Sequence, residues 1–321
     1  MGDTLKKRRK IFDVYSANLH EYLTTMSVGR MPDGKPPMNV TGKVYFCPLC
    51  YQKFGPNELS EIPGKNYLTL EHNPPRCMRG RGRILTCKQC NNTNGGELDE
   101  LVRELLTKES FLYSDNASVS AMFDFGGKRI AGKIEKRNGA RTLRPLEKSN
   151  PYLYNALRQE IAQGKQPKMQ FKLTAPDWKE YSIGILKIAY LKAFELFGYN
   201  FADLGNGKEI QRVLRREIDY PAPNNGVIDE NALEEYVGVH IVREPEELRA
   251  LLITIDFSFE HEGTLVRKNV PVVLPHPNEG GWESLANYHK YLGKEMNIRS
   301  ERFKLLQIPL IKTENYYSMF V

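Results

Sequence analysis

Between residues 4 and 25, apolar side chains return at roughly helical spacing, with Ile11, Val14, Leu19 and Tyr22 or Leu23 set in a polar run. That period predicts an amphipathic helix. Residues 31–42, MPDGKPPMNVTG, read as a loop from their Pro and Gly content. Val44-Tyr45-Phe46 is a short β-prone run, and residues 55–66 are polar and turn-rich. Tyr67 to Leu70 predicts a short strand that delivers Glu71 and His72 and is stopped by Asn73-Pro74-Pro75. A second β-prone run, Ile84-Leu85-Thr86, follows. A short helix is expected from about Cys87 to a cap at Gly95-Gly96, and another from Glu97 to Thr107 with Leu98, Leu101, Leu105 and Leu106 on one face.

The pattern changes after about residue 110. SVSAMFDF and KRIAGKIEK alternate on either side of Gly-Gly, which predicts a small antiparallel β unit over 117–147. KMQFKLT, residues 168–174, alternates as a strand does. Residues 178–198 give the strongest helical run, rich in Ile183, Leu186, Ile188, Leu191, Phe194 and Leu196, and are expected to be the core helix of a C-terminal domain. ALLITIDFSF and VPVVL add two strands across a Glu-Gly turn. The fold class expected is α+β. Its parts would be a basic helix and loop over 1–43, a first domain over 44–110, and an α+β accessory or recognition domain over 111–321.

Bulk composition narrows the class. The chain has 321 residues, 40% hydrophobic and 26% charged. No apolar run approaches the ~20 residues that span a bilayer, so no membrane partner is expected. The basic N-terminus has no apolar stretch after it, which argues against an export signal and for a cytoplasmic location. Net charge is +7, from 46 basic and 39 acidic residues, which suits a polyanionic partner. The basic residues cluster at Lys6, Lys7, Arg8, Arg9 and Lys10, and again at Arg76, Arg79, Arg81, Arg83 and Lys88.

The five cysteines change the picture most. An odd count without an export signal argues against a disulfide framework. Four of them form two CxxC pairs, Cys47-Pro-Leu-Cys50 and Cys87-Lys-Gln-Cys90, each after a β-prone run. That is the spacing of zinc knuckles, and four thiolates leave no open position, so the Zn²⁺ would be structural. Cys77 stands alone.

Glu71 and His72 lie between the pairs, and Asn91 directly follows the last cysteine. A carboxylate and an amide oxygen suit a hard ion such as Mg²⁺. A neutral imidazole suits abstraction of a proton from water near pH 7. Together they suffice for phosphodiester hydrolysis.

The run LTLEHNPPRCMRGRGRILTCKQCNNTNGGELD resembles the HNH endonuclease superfamily, the ββα-metal nucleases, in the branch braced by a four-cysteine zinc. The resemblance covers about residues 44–108 and implies the following roles. His72 is the general base. Glu71 and Asn91 hold a catalytic Mg²⁺ or Mn²⁺. Cys47, Cys50, Cys87 and Cys90 hold structural zinc. The chain departs from the family pattern in having Arg81-Gly82-Arg83-Ile84 where a middle Asn is common, Asn91 where His is common, and Asn94-Gly95 one turn on.

In the loop PPRCMRGRGR, Arg76, Arg79, Arg81 and Arg83, with Lys88 beyond, are expected to contact phosphates, and the glycines to let the backbone approach the strand. The expected substrate is DNA, with RNA left open. The family's usual prokaryotic settings, restriction and antiviral defence, are the expected context. A homo-oligomer or a partner defence protein is left open. Two other readings stand beside this one: a zinc-stabilised nucleic-acid-binding module without catalysis, and a nuclease-fold subunit of a larger defence complex.

Overall fold

The computed structural model describes residues 2–28, 42–113, 115–146, 150–166, 168–170, 177–203, 205–220, 237–261, 264–276, 282 and 299–303. It is an α+β protein. The chain opens with helix α1 (Gly2–Val28), followed by β1 (Tyr45–Phe46), β2 (Lys53–Phe54), β3 (Leu68–Asn73) and β4 (Arg81–Cys87). Helix α2 (Lys88–Tyr113) leads to β5 (Ala117–Phe125), β6 (Lys128–Arg137), β7 (Ala140–Pro145), α3 (Pro151–Ala162) and β8 (Lys168–Gln170). Then come α4 (Trp178–Phe197), α5 (Tyr199–Ala202), α6 (Gly205–Leu214), β9 (Gly238–Glu244), β10 (Ala250–His261), β11 (Thr264–Pro275) and β12 (Arg299–Phe303). Among the described residues no helix is long and apolar enough to cross a membrane.

The chain divides into two compact units. One comprises Met1–Leu101, Trp178–Phe257 and Asn269–Val321, and the other Val102–Asp177 and Ser258–Lys268. The division falls inside α2. The pattern predicts a break there at Gly95-Gly96, but the helix runs through both glycines. Each glycine costs about 1 kcal/mol in a helix interior. Burial of Leu98, Val102, Leu105 and Leu106 on the stripe beyond them outweighs that cost.

The second unit contains the antiparallel sheet that the alternation predicts, in the order β7-β6-β5-β8. Phe125 pairs with Lys128 across a two-residue turn. Gly126 and Gly127 both have positive φ there, the conformation that a tight hairpin turn demands. One face of the sheet packs Phe123, Phe125, Ile130 and Ile134 against Phe111 and Leu157. The strand expected over 168–174 is seen as β8, and residues 171–176 lie outside the described ones.

In the first unit α4 is the core helix, buried on nearly every side from Ser182 to Phe197. Its neighbours come from the N-terminal part of the chain. The Phe194 ring stacks on Tyr15 of α1 at 4.8 Å. Tyr199, just beyond α4, binds both backbone groups of Phe46: its hydroxyl donates to the carbonyl at 2.7 Å and accepts from the N–H at 2.8 Å. Asn73 at the end of β3 donates to the carbonyl of Ile188 at 3.0 Å. Phe194 is fully buried, as its place in the apolar run 178–198 leads one to expect, and Tyr15, Phe46 and Tyr199 are buried with it. A four-stranded sheet ordered β11-β10-β9-β12 follows, with β9 antiparallel to both neighbours.

Candidate metal centre and adjoining cleft

The four cysteines of the two CxxC pairs converge. Their sulfurs all lie within 4.8 Å of one another, with Cys50 and Cys87 at 3.7 Å. Zinc held tetrahedrally at about 2.3 Å from each sulfur needs sulfurs about 3.8 Å apart, so the cluster fits a structural zinc. The local fold explains the fit. β1 and β2 pair at Tyr45↔Phe54 and Phe46↔Lys53, and the connecting turn closes with Cys47 N–H on the Gln52 carbonyl at 2.9 Å. The second pair spans the end of β4 and the first turn of α2. Backbone N–H groups point at the sulfurs: Cys87 N to Cys47 Sγ and Cys90 N to Cys87 Sγ, both at 3.4 Å. Burial pushes the Cys47 thiol up, while a hydrogen bond with Cys47 draws Cys50 down to about 7. Four thiolates this close require a cation among them, so loading a metal here releases protons.

Beside this cluster β3 and β4 pair antiparallel. The register slips between Glu71, opposite Ile84, and His72, opposite Gly82, which leaves Arg83 as the extra residue of a bulge. Simple alternation would send Glu71 and His72 to opposite faces. Both nevertheless line one cleft of about 450 Å³, at the point where the bulge interrupts the ladder. Arg76, Asn91 and Asp99 line it too, with Cys77 and Glu100. The loop between the strands folds tightly over the strand end, as its glycines lead one to expect. A Cβ on Gly80 would sit 1.3 Å from the Pro74 carbonyl oxygen.

Glu71 is 3% exposed, and both of its oxygens are engaged. Thr86 Oγ1 donates to Oε2 at 2.8 Å, and the Lys187 ammonium lies 3.2 Å from Oε1. Lys187 comes from α4, is 1% exposed, and lies 3.2 Å from Asp99 as well. Burial alone would pull the lysine pKa down, but the two carboxylates outweigh it and raise it. Asp99 is pushed up to about 6 by burial, against the pull of Lys187, with Glu71 adding a smaller push upward.

His72 is half-buried, and its ring makes no hydrogen bond among the described residues. Its pKa lies below the ordinary value, through burial first and then the positive charges of Arg76 and Lys7; adjacent Glu71 pulls the other way and loses. The neutral imidazole therefore dominates at pH 7. Asn91 donates through Nδ2 to Thr69 Oγ1 at 2.9 Å, which leaves its carbonyl oxygen to accept. The oxygens of Glu71 and Asn91 are of the hard type that a divalent cation such as Mg²⁺ takes.

Of the five basic residues expected on phosphate, Arg76 lines the cleft. Arg79 on the same loop and Arg81 at the start of β4 are exposed, outside it. Arg83 is tied to Glu195 of α4 at 2.9 Å. Lys88 pairs with Glu61 at 3.4 Å and lies over the Tyr67 ring.

No family model, curated protein or solved structure matches this chain.

Asp99 and Lys187 are cleft-associated residues that the sequence pattern does not single out, and so are Asn92 and Glu100. A signal for Lys187 exists, because it is a lone charge in the apolar run GILKIAYL. A charge at such a position must meet opposite charge in the core.

Proposed function

We propose that this chain is a metal-dependent endonuclease of the HNH type that hydrolyses phosphodiester bonds of DNA. The observation that carries the reading is the meeting of Glu71, His72 and Asn91 in one cleft beside a four-cysteine metal cluster. A plain zinc knuckle needs none of those three. In this reading the neutral His72 ring takes a proton from water, and the hydroxide so formed attacks phosphorus. The P–O bond to the leaving strand breaks, and the departing oxygen is protonated from solvent. Glu71 and Asn91 would hold Mg²⁺ or Mn²⁺, which when bound supplies positive charge to the phosphate and the departing oxygen. Arg76 offers a guanidinium to a phosphate at the cleft mouth. The net charge of +7 favours such a substrate. The resemblance to the HNH superfamily further suggests a role in prokaryotic restriction or antiviral defence.

The test is cleavage of supercoiled plasmid with Mg²⁺ or Mn²⁺, with His72→Ala as control. General-base loss costs about 10²–10⁴ in rate, so the variant should leave the plasmid intact while keeping its zinc. Native cleavage by His72→Ala would sink the assignment.

The commitment of both Glu71 oxygens to Thr86 and Lys187 favours a second reading, a zinc-stabilised nucleic-acid-binding module without catalysis. It expects salt-dependent binding and no cleavage with any metal.

A further inference from the structure

We propose that Lys187 is a positioning residue of the cleft, so that the candidate nuclease site is completed by α4 and is not self-contained in β3, β4 and α2. This rests on the endonuclease reading and goes beyond it. Lys187 is 1% exposed and lies outside the residues lining the cleft. Its ammonium sits 3.2 Å from Glu71 on β3 and 3.2 Å from Asp99 on α2. One cation therefore ties together two of the elements that carry the site.

The geometry at Glu71 is that of a clasp. Lys187 holds Oε1 and Thr86 holds Oε2, one partner on each oxygen. A carboxylate oxygen has two acceptor positions, so each keeps one free. The clasp thus fixes the plane of the carboxylate without using up its capacity for a cation. It also balances two carboxylates that would otherwise repel each other in a buried setting. Ordinary packing does not require a lysine here, since its neighbours in α4 are apolar and buried. Asp99 supplies the second anion that makes a buried ammonium tolerable.

Groups that orient a metal ligand change affinity or activity about 10–100-fold when removed. Lys187→Met alone would strand two buried carboxylates, so the main variant is Lys187→Met combined with Asp99→Asn, which keeps the charge balance. Binding of Mn²⁺ to the purified full chain is followed by electron paramagnetic resonance, separately from plasmid cleavage. The double variant should bind Mn²⁺ about 10–100-fold more weakly, and cleavage should recover as Mn²⁺ is raised. Asp99→Asn alone, which keeps Lys187 on Glu71, should bind close to native. Glu195→Gln, which loosens another α4 contact, should also bind close to native. If the double variant loses its zinc or its secondary structure, Lys187→Arg replaces it. That change keeps the charge and moves the donor, and weakened Mn²⁺ binding is again expected. Native Mn²⁺ binding in whichever variant folds overturns the proposal, as does an equal loss in Asp99→Asn. If the native chain neither binds Mn²⁺ nor cuts, the endonuclease reading itself fails and the proposal falls with it.

Discussion

Tyr190 of α4 donates its hydroxyl hydrogen to the carbonyl of Pro48, at 2.8 Å, inside the first CxxC turn. The same hydroxyl accepts from Gln211 Nε2 at 2.8 Å, and the side chain is fully buried. The core helix is thus pinned to the metal knuckle through one oxygen atom. Tyr190→Phe keeps the ring but leaves a buried carbonyl short of a donor and a buried amide short of an acceptor. Leaving such groups unpaired costs about 1–3 kcal/mol. Urea unfolding of the variant should show a loss of that size with zinc content unchanged. An unchanged midpoint would mean that the contact adds nothing to stability.

The cluster fits a closed structural site, so metal should be part of the folding free energy. The purified chain should carry one tightly held zinc, measurable by mass spectrometry. Cys50→Ser should lose it and be destabilised by more than about 4 kcal/mol, the range reserved for loss of a metal or an equivalent lesion. Cys77→Ser is the control, because Cys77 is exposed and stands apart from the cluster. It should keep both zinc and melting temperature. Equal zinc in the two variants would refute the four-sulfur site.

How much of this could be read from the chain depends on the range of the signal. The two CxxC pairs are local, and each builds its own turn, so their convergence could be anticipated from spacing. The hairpin of β5 and β6 was equally legible, since alternation and Gly126-Gly127 specify it within a few residues. The joint placement of Glu71 and His72 on one cleft was not, because it lies at a break in the β3–β4 register that no local pattern marks. Arg83 itself illustrates the limit. Its place in a basic loop suggests phosphate contact, but Glu195, distant in sequence, takes its charge. The helix over 178–198 was plain from its apolar run, whereas its partners Tyr15, Pro48 and Asn73 could be known only from tertiary structure. Asp99 and Lys187 stayed hidden for the same reason: a salt bridge between residues 88 positions apart leaves no periodic trace.

The base assigned to His72 makes pH a direct test. The ring must be neutral to accept a proton, so cleavage falls as pH drops through its pKa. Burial, Arg76 and Lys7 hold that pKa below the ordinary 6.5. The acidic limb of the rate profile should therefore have its midpoint below pH 6.5, with activity persisting into mildly acidic solution. Arg76→Ala removes a positive charge that disfavours the imidazolium. The pKa of His72 then rises, and the limb should move to higher pH. Because Arg76 also lines the cleft, the variant should lose rate at every pH, so the position of the limb is the informative quantity, not its height. Arg79→Ala, on the same loop but outside the cleft, should leave the limb in place. Cleavage measured at saturating Mn²⁺ across pH 5 to 8 makes the comparison. A limb that does not move in Arg76→Ala would show that a group other than His72 accepts the proton.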